Sequence, residues 1–134
     1  MLRPGGRTAV SVNTVVERSY NHQINVIIAR HLPSLAEAVT RTFALGGASR
    51  LRSLFAEAGL ADIETHTVRH TFVLPSFDAY YGPFEHGGAS TGQALAALPE
   101  EIRQAVREEV RRELADSGGP IEAEAEYRIA SARR

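Results

Sequence analysis

Histidine is the residue of this sequence best suited to acid–base or metal chemistry, and there are five of them. His66 and His70 are four residues apart in a segment that reads as a strand, so at ~3.3 Å per residue their Cα atoms lie about 13 Å apart. That separation is too long for both to bind one zinc ion, and His22 and His31 fall on different turns of a helical pattern. We therefore expect no metal site. We keep His86, which precedes a pair of glycines, as the candidate general base.

Two further features could bind an organic ligand. Four aromatic residues, Phe77, Tyr80, Tyr81 and Phe84, occur close together in the sequence. Such a cluster is typical either of an ordinary core or of a lid over a ligand, and the tyrosine hydroxyls need partners if they are buried. Asn13 follows a predicted strand at the end where ligands sit in open α/β sheets, and its alternative role is to cap a loop.

Alternating hydrophobicity predicts the strands that position these residues, near 7–12, 62–74 and 122–133. The first strand is apolar enough to be buried on both faces. The last strand carries Glu124, Glu126 and Arg128 on one side, which predicts a solvated face.

Helical spacing predicts helices between the first and second strands and again between the second and third. Asn21 is the expected N-cap of the first helix, Ser34 opens the next with an S-x-x-E capping box, and Ser49 caps the third. We expect the glycine-rich residues 86–92 to form a loop. The longest helix is predicted over residues 99–116, with a proline in its first turn.

Length and composition indicate one domain over residues 1–134. A net charge of −1 argues against a general electrostatic attraction to nucleic acid or to an anionic membrane. The sequence contains no cysteine, and no apolar run approaches the ~20 residues that span a bilayer. With no signal-peptide pattern at its start, these features predict a cytoplasmic protein with neither nucleic acid nor a membrane as partner.

Several segments resemble the class I S-adenosylmethionine-dependent methyltransferases. The opening LRPGGRTAVSV is similar to the segment that leads into the family's fifth strand, L-(K/R)-P-G-G-(R/K). Residues 51–68 resemble the following helix and sixth strand, L-L-x-x-A-G-F-x-x-(V/I), with Leu60 where phenylalanine is commoner. Residues 72–81 and 129–134 resemble the lid and final strand of the small-molecule subgroup related to ubiquinone and menaquinone biosynthesis methyltransferases.

The resemblance implies the C-terminal part of a Rossmann-like α/β fold, with about three strands and packed helices. The family's last strand inserts antiparallel between the two strands before it, and residues 72–120 would form a helical lid. The implied activity is methyl transfer from S-adenosylmethionine to a small organic acceptor. The family's glycine-rich cofactor turn, however, would precede the matching region, and the glycine pairs here never form G-x-G-x-x-G. We therefore expect no cofactor-binding residue in this chain, and it stays open whether the chain is an enzyme.

In the family's sheet order, the strand at 7–12 would pair on its open side with a strand that this chain does not contain. An unpaired apolar edge favours association, so we expect a separate N-terminal half chain or a second copy of this chain to cover it. Two alternatives to methyl transfer remain. One is a non-catalytic truncated relative that binds a ligand or dimerises, and the other is a dimeric hydrolase or isomerase that uses His86 as base.

Overall fold

The computed structural model describes residues 2–134, which form three strands, six α-helices and one 3-10 turn at Val16–Arg18. In chain order the strands and helices are β1 (Arg7–Asn13), α1 (His22–His31), α2 (Ser34–Thr42), α3 (Ala48–Glu57), β2 (Ala61–Leu74), α4 (Phe77–Glu85), α5 (Ala89–Ala96), α6 (Glu100–Glu113) and β3 (Ile121–Arg133). The α/β class and the three predicted strands are confirmed, since each strand begins and ends within one residue of its predicted bounds.

The three strands form one sheet in the order β1-β3-β2, so the last strand of the chain lies in the middle. β3 runs antiparallel to both neighbours, with Val10 opposite Ala130 and Val68 opposite Tyr127. The predicted antiparallel pairing of the last two strands is confirmed. β1 and β2 therefore run in the same direction on either side of β3.

The hydrophobic core lies between helices α1, α4 and α6 and the first half of β3. The largest fully buried side chains come from α1 (Ile24, Ile27, Ile28), α4 (Tyr80, Tyr81), α5 (Leu95) and α6 (Val106, Val110). Two small residues of β3, Ala123 and Ala125, are buried as well, and Ala123 belongs to the same cluster. The charged face of α6 stays in solvent, because its apolar residues recur at i, i+4.

The prediction that β1 is buried on both faces is wrong. Val10 is 38 % exposed, and every other residue of β1 is either exposed or half-buried. Within residues 2–134, β1 pairs with β3 alone, while the helix α3 packs on β2 and β3. A strand at the margin of a sheet has fewer neighbours to exclude water, whatever its own hydrophobicity.

Gly92 was expected in a loop, but it lies inside helix α5. A Cβ on Gly92 would come within 2.6 Å of the carbonyl carbon of Gly87 and within 2.7 Å of the carbonyl oxygen of Phe84. The glycine is thus needed where α5 crosses the end of α4. Its presence reflects close packing of two backbones and not a break in the helix.

Two predicted caps also differ from the structure. Ser34 is the first residue of α2 and not its N-cap, and Glu37 accepts a hydrogen bond from Arg41 instead of forming a capping box. Ser49 lies inside α3, whose N-cap is Gly47. The longest helix begins at Glu100 and ends at Glu113, three residues earlier than predicted.

Glu126 was assigned to a solvated face, yet its side chain is buried. Its carboxylate accepts hydrogen bonds from the Thr14 hydroxyl (2.8 Å) and from the guanidinium groups of Arg18 and Arg69 (2.7 Å each). The two arginines and the hydroxyl lower the pKa of Glu126 to about 2. This ion cluster ties the end of β1 and the 3-10 turn to the sheet.

The loop between α2 and α3 lies directly against the end of β1. A Cβ on Gly46 would stand 1.8 Å from the carbonyl oxygen of Thr14, well inside any permitted contact. The guanidinium of Arg128 donates to the carbonyl oxygen of Gly46 at 2.6 Å. The backbone contact at Gly46 thus holds the helical segment against the sheet.

Candidate ligand pocket

A pocket of about 210 Å³ lies between α1, α2 and the beginning of α5. Most of its wall is apolar and comes from Ile28 of α1, Leu35 and Val39 of α2, and Phe43 just beyond α2. Helix α2 covers this side of the molecule with half-buried and exposed residues, so the pocket opens near the surface. An apolar concavity with a few polar groups is the usual form of a small-molecule site.

Three polar side chains meet in the wall that α1 and α5 form. The amide of Asn21 donates to the hydroxyl of Thr91 at 2.5 Å, and that hydroxyl donates to the amide oxygen of Asn25 at 2.9 Å. Thr91 and Asn25 are 4 % and 6 % exposed, so the chain of hydrogen bonds is shielded from solvent. The Thr91 hydroxyl has a single proton, which it donates to Asn25, so it can only accept a hydrogen bond from Asn21. The hydrogen bonds therefore run in one direction, from Asn21 through Thr91 to Asn25.

Asn13, a predicted substrate-binding residue, is among the residues that line this pocket, and its role there stays a prediction. It ends β1, at the carboxyl end of the strand, and it lines the pocket together with Asn21 and Asn25. Sequence reasoning assigned Asn21 to a helix cap, but its side chain makes no cap hydrogen bond and bonds to Thr91 instead. The signal that could have identified the pair is the spacing of four residues between Asn21 and Asn25, which places both on one helix face.

The four predicted aromatic residues lie in the core, each at most 7 % exposed. The rings of Phe77 and Tyr81 stack with centroids 5.2 Å apart, and the hydroxyl of Tyr80 donates to the carbonyl oxygen of Tyr20 at 2.9 Å. None of these four residues is among those that line the pocket beside Asn13. Their placement matches the core alternative, and their role in substrate binding stays a prediction.

Tyr80 and Tyr81 differ in what their hydroxyls contact, and this difference predicts opposite mutational effects. Burial raises the pKa of both phenols, to about 12 for Tyr81. Within residues 2–134 the Tyr81 hydroxyl has no hydrogen-bond partner. We expect Tyr80→Phe to lower the free energy of unfolding by about 1 kcal/mol through loss of its bond to Tyr20, and Tyr81→Phe to leave it unchanged or raise it. Urea unfolding of both variants checks this, and equal losses would contradict it.

His86 is exposed at the end of α4, with Nδ1 2.7 Å from the carbonyl oxygen of Gly82. It is not among the residues that line the pocket. Of the other histidines, His31 lies 2.7 Å from a Glu109 oxygen and His70 packs against Phe72. Residues 2–134 contain no group of three acidic or histidine side chains placed to hold a metal ion. No helix in this part of the chain is long and apolar enough to cross a membrane.

The pocket does not fit S-adenosylmethionine, the cofactor that the sequence resemblance implies. That molecule carries a nucleoside, a sulfonium cation and an amino acid, whereas none of the pocket-lining residues within 2–134 is charged. Throughout residues 2–134, no glycine pair lies between a strand and the helix that follows it. Such a turn is where a nucleotide approaches the backbone in doubly wound folds.

No protein-family model matches the chain, and no curated protein matches it. Among solved structures, the chain is similar to a protein of Bacillus halodurans C-125 described as a putative methyltransferase, with 15 % identity and a TM-score of 0.43. The alignment covers 98 % of this chain and 57 % of that one, so the chain spans little more than half of its length. A likeness at this level assigns no family.

Proposed function

We propose that this chain is the acceptor side of a class I S-adenosylmethionine-dependent methyltransferase of the small-molecule subgroup. In this proposal it binds a small organic acceptor in the cytoplasm and is inactive alone. The observation that carries the proposal is the sheet order, since β3 lies antiparallel between β1 and β2. The resemblance of the sequence segments to the methyltransferases implies this order, and other arrangements of three strands would not agree with it.

The position of the pocket supports the acceptor role. Asn13 ends β1 at its carboxyl end, where ligands sit in open α/β sheets. The helical segment between β2 and β3 contributes Thr91 to the pocket wall, which agrees with a substrate-side insert over residues 72–120. The chain's own part in the reaction is to hold the acceptor in position. His86 does not line the pocket, so the proposal gives it no part in holding the acceptor, and its role as a general base stays a prediction.

The proposal includes a partner for the outer edge of β1. The backbone groups on that edge face away from β3, and Val10 at the centre of the strand is exposed. We propose that a separate N-terminal chain pairs with this edge and supplies the cofactor site. The alternative occupant is a second copy of this chain, which would close the edge and supply no cofactor site.

The test combines this chain with the polypeptide encoded immediately upstream of Met1. Transfer of a labelled methyl group from S-adenosylmethionine to a library of small acceptors is expected with both chains together and with neither alone. Light scattering of the same mixture should give a one-to-one complex. Tight binding of S-adenosylhomocysteine by this chain alone, measured by calorimetry, would contradict the proposed division of the site.

A second candidate is a non-catalytic ligand-binding module. The observation that favours it is that residues of this chain alone form the pocket. This candidate predicts that a ligand binds and that no added chain restores turnover. A stable homodimer that transfers no methyl group in the same assay would support it over the first.

A further inference from the structure

We infer that the pocket between α1, α2 and α5 takes an uncharged molecule of one ring that carries an amide, carbonyl or hydroxyl group. The inference rests on the proposed function in one respect, namely that this molecule is the methyl acceptor. The ligand class itself follows from the charge, the size and the polar groups of the pocket wall.

Charge is the first restriction. The residues that line the pocket are apolar, amide or hydroxyl residues, and none of those in residues 2–134 is charged. A carboxylate, phosphate or ammonium group on a ligand would lose its hydration here without gaining a counter-charge. Arginine would be the expected partner for a planar acid, and the described wall contains none. The pocket therefore selects against charged ligands.

Size is the second restriction. A dry cavity of roughly 150 Å³ lined by aliphatic and aromatic residues holds a benzene molecule. The pocket here is about 210 Å³, which leaves room for one ring and a small substituent. The faces of such a ring would contact the side chains of Ile28, Val39 and Phe43. A nucleotide or a long acyl chain would not fit inside the same space.

The polar wall is the third restriction. Each asparagine amide has two donor hydrogens and two acceptor lone pairs, and the bonds to Thr91 use one site on Asn21 and one on Asn25. Buried polar groups lose free energy when a ligand covers them without bonding to them. A ligand that hydrogen-bonds to this wall is therefore preferred over one of equal shape that does not. Because the hydrogen bonds from Asn21 to Thr91 and from Thr91 to Asn25 have a fixed direction, the free donor and acceptor sites of the two amides are fixed as well, and a preferred ligand must match them.

Benzamide, benzoate and toluene test the three restrictions, because they share one ring and differ in charge and polarity. Backbone amide shifts of the ¹⁵N-labelled chain report where and how tightly each binds. Benzamide is expected to shift residues of α1, α2 and α5 with a Kd on the order of 1 mM. Toluene should bind about fivefold to tenfold more weakly, and benzoate more weakly still. Benzoate binding as tightly as benzamide would overturn the inference, as would no shift at the pocket with benzamide.

Two variants locate the binding. Thr91→Val keeps the shape of the side chain and removes the hydroxyl, so it should weaken benzamide about fivefold and leave toluene unchanged. Ala94→Leu fills the pocket and should abolish binding of both. Its matched control is Ala96→Leu on the same helix. Ala96 is exposed and lies outside the pocket, so this variant should bind both ligands as the parent does. If Thr91→Val, Ala94→Leu and Ala96→Leu all bound benzamide equally, the assignment of the site would be contradicted. This conclusion would hold even if one variant were partly unfolded.

The two proposals fail separately. Methyl transfer by the assembled protein, with no benzamide binding at the pocket, would remove the inference on ligand class and leave the proposed function intact. Benzamide binding with no methyl transfer by any assembly would remove the proposed function and leave the ligand class.

Discussion

Gly46→Ala is expected to lower the free energy of unfolding by about 3 kcal/mol, because no room exists for a methyl group at this position. The nearest obstacle to the added Cβ is the carbonyl oxygen of Thr14 at 1.8 Å, and the carbonyl carbon follows at 2.6 Å. Both are backbone atoms of the segment that leaves β1, so no side-chain rotation relieves the clash. The loop must move instead, and this pulls the Gly46 carbonyl away from Arg128.

The matched control is Gly82→Ala in helix α4, where, within residues 2–134, the added Cβ meets nothing within 4 Å beyond its chain neighbours and the backbone of its own helix. That change should raise the free energy of unfolding by about 0.5–1 kcal/mol, because alanine loses less backbone entropy in a helix. Urea unfolding at neutral pH measures both variants on one scale. A Gly46→Ala variant within about 0.5 kcal/mol of the parent would show that the contact at Thr14 is not as close as described.

Glu126→Gln is expected to lower Tm by several degrees at pH 7, because it leaves two guanidinium groups beside each other without their shared carboxylate. Arg18 and Arg69 both contact the same oxygen of Glu126. Their side chains are 49 % and 56 % exposed, so solvent screens part of the repulsion. The Thr14 hydroxyl keeps an oxygen to bond to, since glutamine retains one acceptor.

The same pair of proteins should differ in pH dependence. The pKa of Glu126 is about 2 in the folded chain and near 4.5 as a free group, so folding favours its charged form. This contribution to stability is complete above about pH 4.5 and is lost as the pH falls toward 2. The Tm difference between parent and variant should therefore stay constant from pH 7 to about 5.5 and shrink below pH 4.5. A difference that grows on acidification would contradict this assignment.

Glu124→Gln serves as the control for this experiment. Glu124 lies two residues away on the same face of β3, but its side chain is exposed. The substitution removes the same charge without uncovering a buried cluster, so Tm should change little at any pH. Equal effects at the two positions would mean that net charge, and not the cluster, determines the loss.

Local patterns in the sequence were enough to locate the strands. β3 was predicted within one residue, since apolar and charged residues alternate in its sequence from Ile121 to Ile129. The same alternation led to a wrong prediction for Glu126. An alternating pattern shows which face of the sheet a side chain lies on, but it does not show whether other segments cover that face. Arg69 lies opposite on β2, and Arg18 approaches from a turn 108 residues earlier in the chain. Contacts between residues so far apart in the sequence leave no pattern in the residues around either partner.

The candidate site shows the same limit. The position of Asn13 at the carboxyl end of β1 was predictable, because a local pattern locates the strand, while its role in substrate binding stays a prediction. Thr91 was not identifiable, since its partners Asn21 and Asn25 are 70 and 66 residues away. Gly92 was misassigned for a different reason, because the backbone it packs against, at Phe84 and Gly87, is close in the sequence but a glycine-rich pattern does not show that contact. Residues whose environment is set by distant segments require the structure.

The central place of β3 also restricts when the chain can fold during its synthesis. Within residues 2–134, β1 and β2 bond to β3 and not to each other, so both strands lack this shared partner until residues 121–133 have been made. In the interval before β3 is synthesised, both strands are open to pairing with other nascent chains. Chaperones that hold extended apolar segments would be most useful to this protein in that interval.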